Sequence, residues 1–209
     1  TETEEETEEN IYSTETETAI KKKVKIIEIR PDYADGRKIY DGSRKVELAA
    51  VTEEALEHGL AIEVKGETQS ADAGSWNVEY SCSLSGEKAD GYELEISSEI
   101  SPPQIQIIPR TLYVEIGDAQ KQYYTEADYR NLVFQNQQAP VRVSGFYENG
   151  KPSDRFPAGF KMPVPDIDST VIRKESPMYE DGKPVVYQNA IIIREDNQGD
   201  PTANYCYDL

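Results

Sequence analysis

Two stretches decide the predicted fold of this chain: Lys38-Ile39-Tyr40-Asp41-Gly42 and Gly91-Tyr92-Glu93-Leu94-Glu95-Ile96. The Asp-Gly pair in the first stretch favours a turn, because Gly adopts positive φ and Asp accepts hydrogen bonds from its own backbone. The second stretch alternates apolar and acidic residues, which is the pattern of a strand with one buried face. The sequence therefore predicts a β module that opens near the first stretch and closes with the second.

The first half of the chain has the periodicity of a β domain. It contains five predicted strands, at residues 21–30, 46–50, 60–64, 76–84 and 92–96. Pro31 ends the first of them, and residues 31–42 are predicted as a loop because they contain two Asp-Gly pairs. Residues 52–59 instead predict a short helix, since Thr52 suits an N-cap, acids fill the first turn and Gly59 suits a stop.

The second half shows shorter strands and more turns. Its predicted strands are residues 105–107, 112–116, 133–134, 141–143, 185–187, 190–193 and 204–209. Asn149-Gly150 is turn chemistry of the hairpin type. Residues 151–170 are rich in Pro, Asp, Gly and Ser and predict an irregular crossing, and residues 178–183 predict a loop.

The chain divides into three predicted segments. Residues 1–20 predict a disordered Thr/Glu-rich linker, because their first 18 residues hold eight Glu, no base and almost no apolar residue. Ser101-Pro102-Pro103 predicts a stiff boundary between a module at 21–101 and a module at 102–209. The order of features is similar in the two modules, which indicates a diverged tandem repeat.

The predicted fold class is mainly β, with two tandem antiparallel modules. Strand number and spacing favour an immunoglobulin-like sandwich. The alternative is a β-grasp arrangement, in which the short helix predicted at residues 52–59 packs on one sheet.

Charge argues against nucleic acid as a partner, and hydropathy argues against a membrane-spanning segment in this sequence. The chain has 40 acidic against 22 basic residues and a formal net charge of −18, which would repel a phosphate backbone. Nucleic acid is therefore not predicted as a partner. No apolar run is long enough to span a bilayer and no signal-peptide pattern is present, so we expect targeting and anchoring segments to lie outside this sequence.

The two cysteines are predicted to be free thiols. Cys82 shares a strand face with Trp76 and Val78, which we expect to be core residues. Cys206 lies in the last strand, where parity indicates an exposed position. We expect one buried and one exposed thiol.

The sequence offers little material for catalysis, so no enzyme activity, metal or cofactor is predicted. The single histidine, His58, lacks the partners of a catalytic triad. Asp166 and Asp168 could form a carboxylate pair, but no cleft or raised pKa is indicated for them. Residues 196–200 place oxygens at alternate positions, and a solvated turn is preferred over a Ca²⁺ site because the bidentate Glu is missing. A Lys–Asp or Lys–Asn isopeptide bond would need a buried Lys, which the sequence does not identify.

Tyrosine is the most suggestive residue type for binding. The chain has fourteen Tyr against four Phe, and Tyr gives large, rigid contact area with a polar group. The candidate ligand contacts in the second half are Tyr123, Tyr124, Tyr129, Tyr147 and Tyr179. The alternative for other tyrosines, Tyr40, Tyr92 and Tyr205 among them, is a core or corner role with a satisfied hydroxyl.

The motifs together resemble two repeats of bacterial surface proteins. Residues 38–42, Ala71-Asp72-Ala73-Gly74 and residues 84–92 resemble the YDG repeat, with Gly91 at a position that usually carries Asn. Pro109-Arg110-Thr111-Leu112-Tyr113-Val114, Gly117-Asp118, Lys121-Gln122-Tyr123, Val143-Ser144-Gly145 and Ala203-Asn204-Tyr205 resemble the companion MBG repeat.

The resemblance implies a secreted or wall-anchored bacterial protein built from serial β modules. It would act without catalysis as an adhesin or stalk, as a monomer, with a host protein, matrix protein or glycan as partner. The alternative function is a carbohydrate-binding accessory module of a larger secreted enzyme.

Overall fold

The structure is a computed structural model that describes residues 20–121, 132–134, 141–173 and 175–208. Of the predicted linker at residues 1–20, only the exposed Ile20 falls within this part of the chain. The described residues are mainly β, which confirms the predicted fold class. Further details of the immunoglobulin-like arrangement stay a prediction.

The first half forms a seven-stranded sheet. Its strands are β1 (Lys22–Pro31), β2 (Arg37–Ile39), β3 (Lys45–Thr52), β4 (Ala61–Thr68), β5 (Gly74–Ser85), β6 (Tyr92–Ile96) and β7 (Gln104–Ile108). The spatial order is β2-β7-β5-β4-β3-β1-β6. The β1–β6 and β2–β7 pairs are parallel, and the other neighbours are antiparallel.

The second half is built from short strands in small sheets. They are β8 (Arg110–Ile116), β9 (Ala119–Lys121), β10 (Leu132–Phe134), β11 (Val141–Ser144), β12 (Tyr147–Glu148), β13 (Lys151–Pro152), β14 (Pro165–Ile167), β15 (Tyr179–Glu180), β16 (Lys183–Pro184), β17 (Val186–Tyr187), β18 (Ile191–Ile193) and β19 (Tyr205–Asp208). Two sheets have the orders β11-β8-β19 and β10-β9-β17, and the remaining strands form the pairs β12–β13, β14–β18 and β15–β16.

The two halves close in the same way. In the first, β6 pairs in parallel with the opening strand β1, and Lys22 lies opposite Tyr92. In the second, β19 pairs in parallel with the opening strand β8, and Arg110 lies opposite Tyr205. Parallel neighbours require a long connection, so each closing strand has to cross back to the start of its half.

The structure confirms the predicted strands that have a long alternation of apolar and polar residues. Along β5 the side chains of Trp76, Val78 and Cys82 share the less exposed face, as predicted. The structure adds β2 within the predicted loop at residues 31–42 and the β15–β16 hairpin within the predicted loop at residues 178–183. These strands are two or three residues long, which is too short for an alternation to be visible in the sequence.

The helix predicted at residues 52–59 is wrong. Strand β3 runs to Thr52, whose hydroxyl donates to the carbonyl oxygen of Glu54 at 2.6 Å instead of accepting from a first-turn amide. The segment beyond it is a loop with a turn at residues 58–59. Two helical turns are marginal unless they bury an apolar face, and Leu56 is 37% exposed. The β-grasp alternative therefore lacks its helix.

The core of the first half includes residues from beyond the predicted boundary at 101–103. Val46, Val78, Ile105 and Ile107 form a buried cluster, against which Trp76 packs. The two isoleucines belong to β7, so the first sheet extends to Ile108. Trp76 donates from Nε1 to the carbonyl oxygen of Asp72 at 2.8 Å, which gives the predicted core residue a partner for its polar atom.

Both cysteines are free, as predicted. Cys82 is half-buried on β5 and Cys206 is exposed on β19. Burial raises the pKa of the Cys82 thiol. The two thiols therefore differ in their environment, with Cys82 the less accessible.

The second half has an aromatic core that reaches into the first. Leu112, Phe146 and Tyr205 are buried together, and Tyr40 from the first half packs against them. The Tyr40 and Tyr205 rings meet edge to face with centroids 5.1 Å apart. The Tyr205 hydroxyl donates to the carbonyl oxygen of Tyr147 at 3.0 Å, which confirms its predicted core role. The two halves therefore share a contact surface.

Candidate functional site

A buried lysine organises the turn that the sequence singles out. Lys38 on β2 is only 4% exposed. Its Nζ donates to the carbonyl oxygens of Ser43 at 2.6 Å and Lys45 at 2.7 Å, and it lies 2.9 Å from Asp41 Oδ1. Three acceptors match the three donors of an ammonium group, so its charge is compensated. The structure shows Lys38 and Asp41 as an ion pair rather than as the isopeptide bond considered above.

Side chains also cover the free edge of β3. Its residues 45–47 pair with β4 on one side only. On the other side the backbone amide of Lys45 donates to Ser43 Oγ at 3.1 Å, and that of Glu47 donates to the Tyr33 hydroxyl at 3.1 Å. Together with Lys38 these groups satisfy an edge that would otherwise offer itself to another strand.

Two turns, one from each half, lie directly against each other. The β12–β13 hairpin turns through Asn149 (φ 52°) and Gly150 (φ 77°), and positive φ at both positions indicates a type I′ turn. The Gly150 amide donates to the carbonyl oxygen of Asp41 at 2.8 Å. A Cβ on Gly42 would lie 3.1 Å from the Asn149 nitrogen, so a larger residue would require the second turn to shift by a few tenths of an ångström.

Arg110 fixes the neighbouring carbonyl group. Its Nε donates to the Tyr40 carbonyl oxygen at 2.6 Å. Its guanidinium carbon lies 3.7 Å from the centroid of the Tyr147 ring, within the range of a cation–π contact. The same arginine thus joins the Tyr40 backbone to β12 of the second half.

Asn204 makes the third connection between the halves. Its Oδ1 accepts from the Ala73 amide at 2.8 Å, and its Nδ2 donates to Asp72 Oδ1 at 2.9 Å. Hydrogen bonds from Asn204 and then Ser70 hold the pKa of the Asp72 carboxyl below its usual value. One side chain therefore satisfies both a backbone amide and a carboxylate of the first half.

We call these contacts the junction. It comprises Tyr40, Asp41, Gly42, Asp72 and Ala73 from the first half and Arg110, Tyr147, Asn149, Gly150 and Asn204 from the second. Several stretches that carry the two sequence resemblances meet here, although they lie far apart in the chain. The roles of Lys38, Arg110 and Asn204 were not predicted, because nothing local marks a polar side chain whose partner is distant in sequence.

A cleft of about 990 Å³ opens beside the junction. Its walls come from both halves and carry charges of both signs. The charged and aromatic side chains that line it are Tyr33, Asp35, Arg37, Lys38, Asp41, Lys45, Glu47, Lys65, Glu67, Arg110, Tyr147 and Lys151. The volume lies at the upper end of the range for small-molecule sites.

The structure does not gather the predicted tyrosines into one described surface. Tyr147 lines the cleft, but Arg110 covers a face of its ring. Tyr179 is 61% exposed on the β15–β16 hairpin and does not line the cleft. Tyr123, Tyr124 and Tyr129 lie outside the described residues. The candidate ligand contacts therefore stay a prediction.

The acidic alternatives take part in local structure. Asp166 Oδ2 accepts from Arg194 at 2.5 Å. Asp168 Oδ1 accepts from the hydroxyl and amide of Thr170, and these bonds lower the pKa of Asp168, whereas a general acid requires a raised pKa. In the predicted solvated turn, Asp200 Oδ1 accepts from the Thr202 amide at 2.9 Å.

The described residues carry neither a cluster of metal-binding side chains nor a membrane-spanning helix. Among them, no cluster of three or more His, Cys, Asp or Glu side chains has the geometry of a metal site. Within the same residues, no helix has the length and apolar character needed to cross a membrane. Comparison with family models, curated proteins and solved structures gives no match to this chain.

Proposed function

We propose that this chain is a non-catalytic pair of extracellular β modules from a bacterial cell-surface protein, which serves as a stalk or adhesin segment. The junction is the observation that carries this proposal. A stalk has to hold what it presents at a defined distance and angle, and modules joined only by a linker move relative to each other by default.

The junction supports fixed geometry because many of its contacts involve the main chain. The amide groups of Ala73 and Gly150 and the carbonyl groups of Tyr40 and Asp41 all take part. Main-chain groups cannot rotate away as long side chains do, so such contacts lose little entropy when they form. The Gly150–Asp41 bond joins main chain to main chain, whereas Arg110 and Asn204 are the side-chain partners of the Tyr40 carbonyl and the Ala73 amide.

The path of the chain also suits a serial protein. The first described strand, β1, belongs to the seven-stranded sheet, and the last, β19, belongs to the three-stranded sheet of the second half. Force applied along such a chain would cross the junction. The resemblance to YDG and MBG repeats, whose motif stretches contribute to this junction, favours the same function.

Distance measurements between the halves test the stalk function. Spin labels at Glu87→Cys and Lys183→Cys, in a Cys82→Ser and Cys206→Ser background, report the separation of two exposed positions, one in each half. We expect one narrow distance distribution. It should broaden in Arg110→Ala/Asn204→Ala and stay narrow in Arg155→Ala, which removes an exposed arginine outside the junction. A broad distribution in the parent protein would rule out a rigid spacer.

Surface labelling tests the location. An antibody raised against this chain should stain intact cells of the source organism. Staining that appears only after the cells are permeabilised would contradict an extracellular role, whatever the distance measurements show.

The cleft favours a second candidate function, a carbohydrate-binding accessory module. Its aromatic side chains offer apolar contact area, and its charged side chains offer hydrogen-bond partners for the hydroxyl groups of a sugar. A glycan array should then show binding that Lys45→Ala and Lys151→Ala reduce and that Tyr179→Ala, outside the cleft, leaves unchanged. Binding that is insensitive to all three, or no binding, would exclude this candidate.

A further inference from the structure

Asn149-Gly150 is a sequence with a specific chemical weakness. In an Asn-Gly pair the Gly nitrogen can attack the Asn Cγ, because Gly carries no side chain to hinder closure of the five-membered ring. The attacking nitrogen loses its proton, a bond forms between this nitrogen and Cγ, and ammonia leaves. Water then opens the cyclic imide to give either Asp or isoaspartate, with no enzyme or cofactor.

The structure blocks this reaction at the nucleophile. The Gly150 amide donates to the Asp41 carbonyl oxygen across the junction at 2.8 Å. While this bond is made, the proton that must leave is held by the Asp41 carbonyl oxygen. The exposed Asn149 itself lies in a turn with φ 52°, packed against Gly42. Ring closure requires rotation about the Asn149 backbone, which this packing opposes.

We propose that Asn149 is a spontaneous deamidation site that the junction protects, so that opening of the junction converts it irreversibly. The rate of deamidation then equals the rate in a free peptide multiplied by the fraction of time that the junction is open. Deamidated Asn149 therefore accumulates whenever the two halves separate, whether heat or mechanical force separates them.

The product favours the open state. Deamidation places a carboxylate at position 149, beside the main chain of Asp41 and Gly42. The new carboxylate adds one negative charge to a protein whose formal net charge is already −18. Isoaspartate in addition lengthens the backbone of a two-residue hairpin loop, and the Gly150 amide then no longer reaches Asp41.

The test compares rates at mildly alkaline pH. Peptide mass spectrometry follows conversion of Asn149 in the intact chain, in Arg110→Ala and in a synthetic peptide of residues 145–154. We expect the intact chain to react roughly tenfold or more slowly than the peptide, because local opening of a packed region is rare. Arg110→Ala should react several-fold faster than the parent. Asn189, which also lies at positive φ but outside the junction, serves as an internal control whose rate should not change.

Two results would overturn the proposal. One is an intact chain that deamidates at the rate of the peptide. The other is an unchanged Asn149 rate in a variant whose inter-half distances have broadened. If Arg110→Ala does not fold, Asn204→Ala opens the junction from its other side. Asn149→Asp should by itself broaden the distance distribution. Protection of Asn149 does not depend on where the protein is located, so this inference can stand if the proposed function fails.

Discussion

Arg110 Nε donates to the Tyr40 carbonyl oxygen at 2.6 Å, which ties the first residue of β8 to the Tyr-Asp-Gly turn of the other half. The guanidinium group also stacks on Tyr147. Loss of both contacts in Arg110→Ala should lower the free energy of unfolding by about 1.5–3 kcal/mol, the range for a hydrogen bond that involves a charged group. Urea unfolding measures this. Arg155→Ala should be close to neutral, and equal effects of the two variants would contradict the importance of the junction.

Lys38→Met removes a buried ammonium and retains the aliphatic length of the side chain. It leaves Asp41 and the carbonyl oxygens of Ser43 and Lys45 without their donor. Breaking one partner of a buried ion pair costs about 3–5 kcal/mol, so we expect a loss of this size in urea unfolding.

Lys38→Met/Asp41→Asn should recover part of that loss, because it removes the uncompensated charge. A double variant that is less stable than Lys38→Met would show that Asp41 contributes mainly through its other hydrogen bonds, such as that with the Ser43 amide.

Gly36 and Gly42 form a matched pair, since both adopt φ 71°. Ala at either position bears the strain of the left-handed region, about 1–2 kcal/mol. A Cβ at position 36 meets nothing within 4 Å, whereas at position 42 it lies 3.1 Å from the Asn149 nitrogen. Gly42→Ala should therefore be the more destabilising of the two variants. Of these two, only Gly42→Ala should broaden the distribution of distances between the halves. Identical behaviour of the two variants would mean that the turns are not packed in solution.

The low pKa of Glu57 predicts that the free energy of unfolding depends on pH. Hydrogen bonds from Tyr92, Lys22 and Lys88 lower the pKa of Glu57 from 4.5 to about 2. A depressed pKa in the folded state adds stability that is present above the unfolded value and is lost as the pH falls through the folded value. The free energy of unfolding should therefore decline between pH 4.5 and 2, and less steeply in Glu57→Gln. Parallel pH profiles for the two proteins would contradict the assignment.

The two thiols should react at different rates with iodoacetamide. Cys206 is exposed, whereas burial raises the pKa of Cys82 and lowers its thiolate fraction. Mass spectrometry of the native chain should show Cys206 modified first and Cys82 modified at a comparable rate only after unfolding. Equal native rates, or a mass that indicates a disulfide, would contradict this.

Particular residues show how far the sequence can be interpreted. The alternation through Trp76, Val78 and Cys82 predicts the inward face of β5, because the side-chain period of a strand is local information. The helix expected at residues 52–59 has equally clear local signals and is wrong. Continuation of β3 to Thr52 beside β1, and the pairing of Glu57 with Lys22 and Lys88, outweigh a weak local propensity.

The candidate site also has some features that the local sequence predicts and others that it does not. The turns at Asp41-Gly42 and Asn149-Gly150 follow from residue type, because positive φ strongly favours Gly and Asn. Their contact with each other does not follow. It joins residues more than a hundred positions apart and depends on a hydrogen bond from a main-chain amide, a group that every residue except proline carries.

Local features of the chain predict a mainly β protein with free thiols and tight Asp-Gly and Asn-Gly turns, since alternation, parity and glycine φ are properties of neighbouring residues. Long-range packing adds that Ile105 and Ile107 complete the first core, that Lys38 is buried with three acceptors, and that Arg110 and Asn204 hold the halves together. These outcomes depend on which distant groups can satisfy each other once water is excluded, and hydrogen-bond partners at long range leave no periodic trace in the sequence.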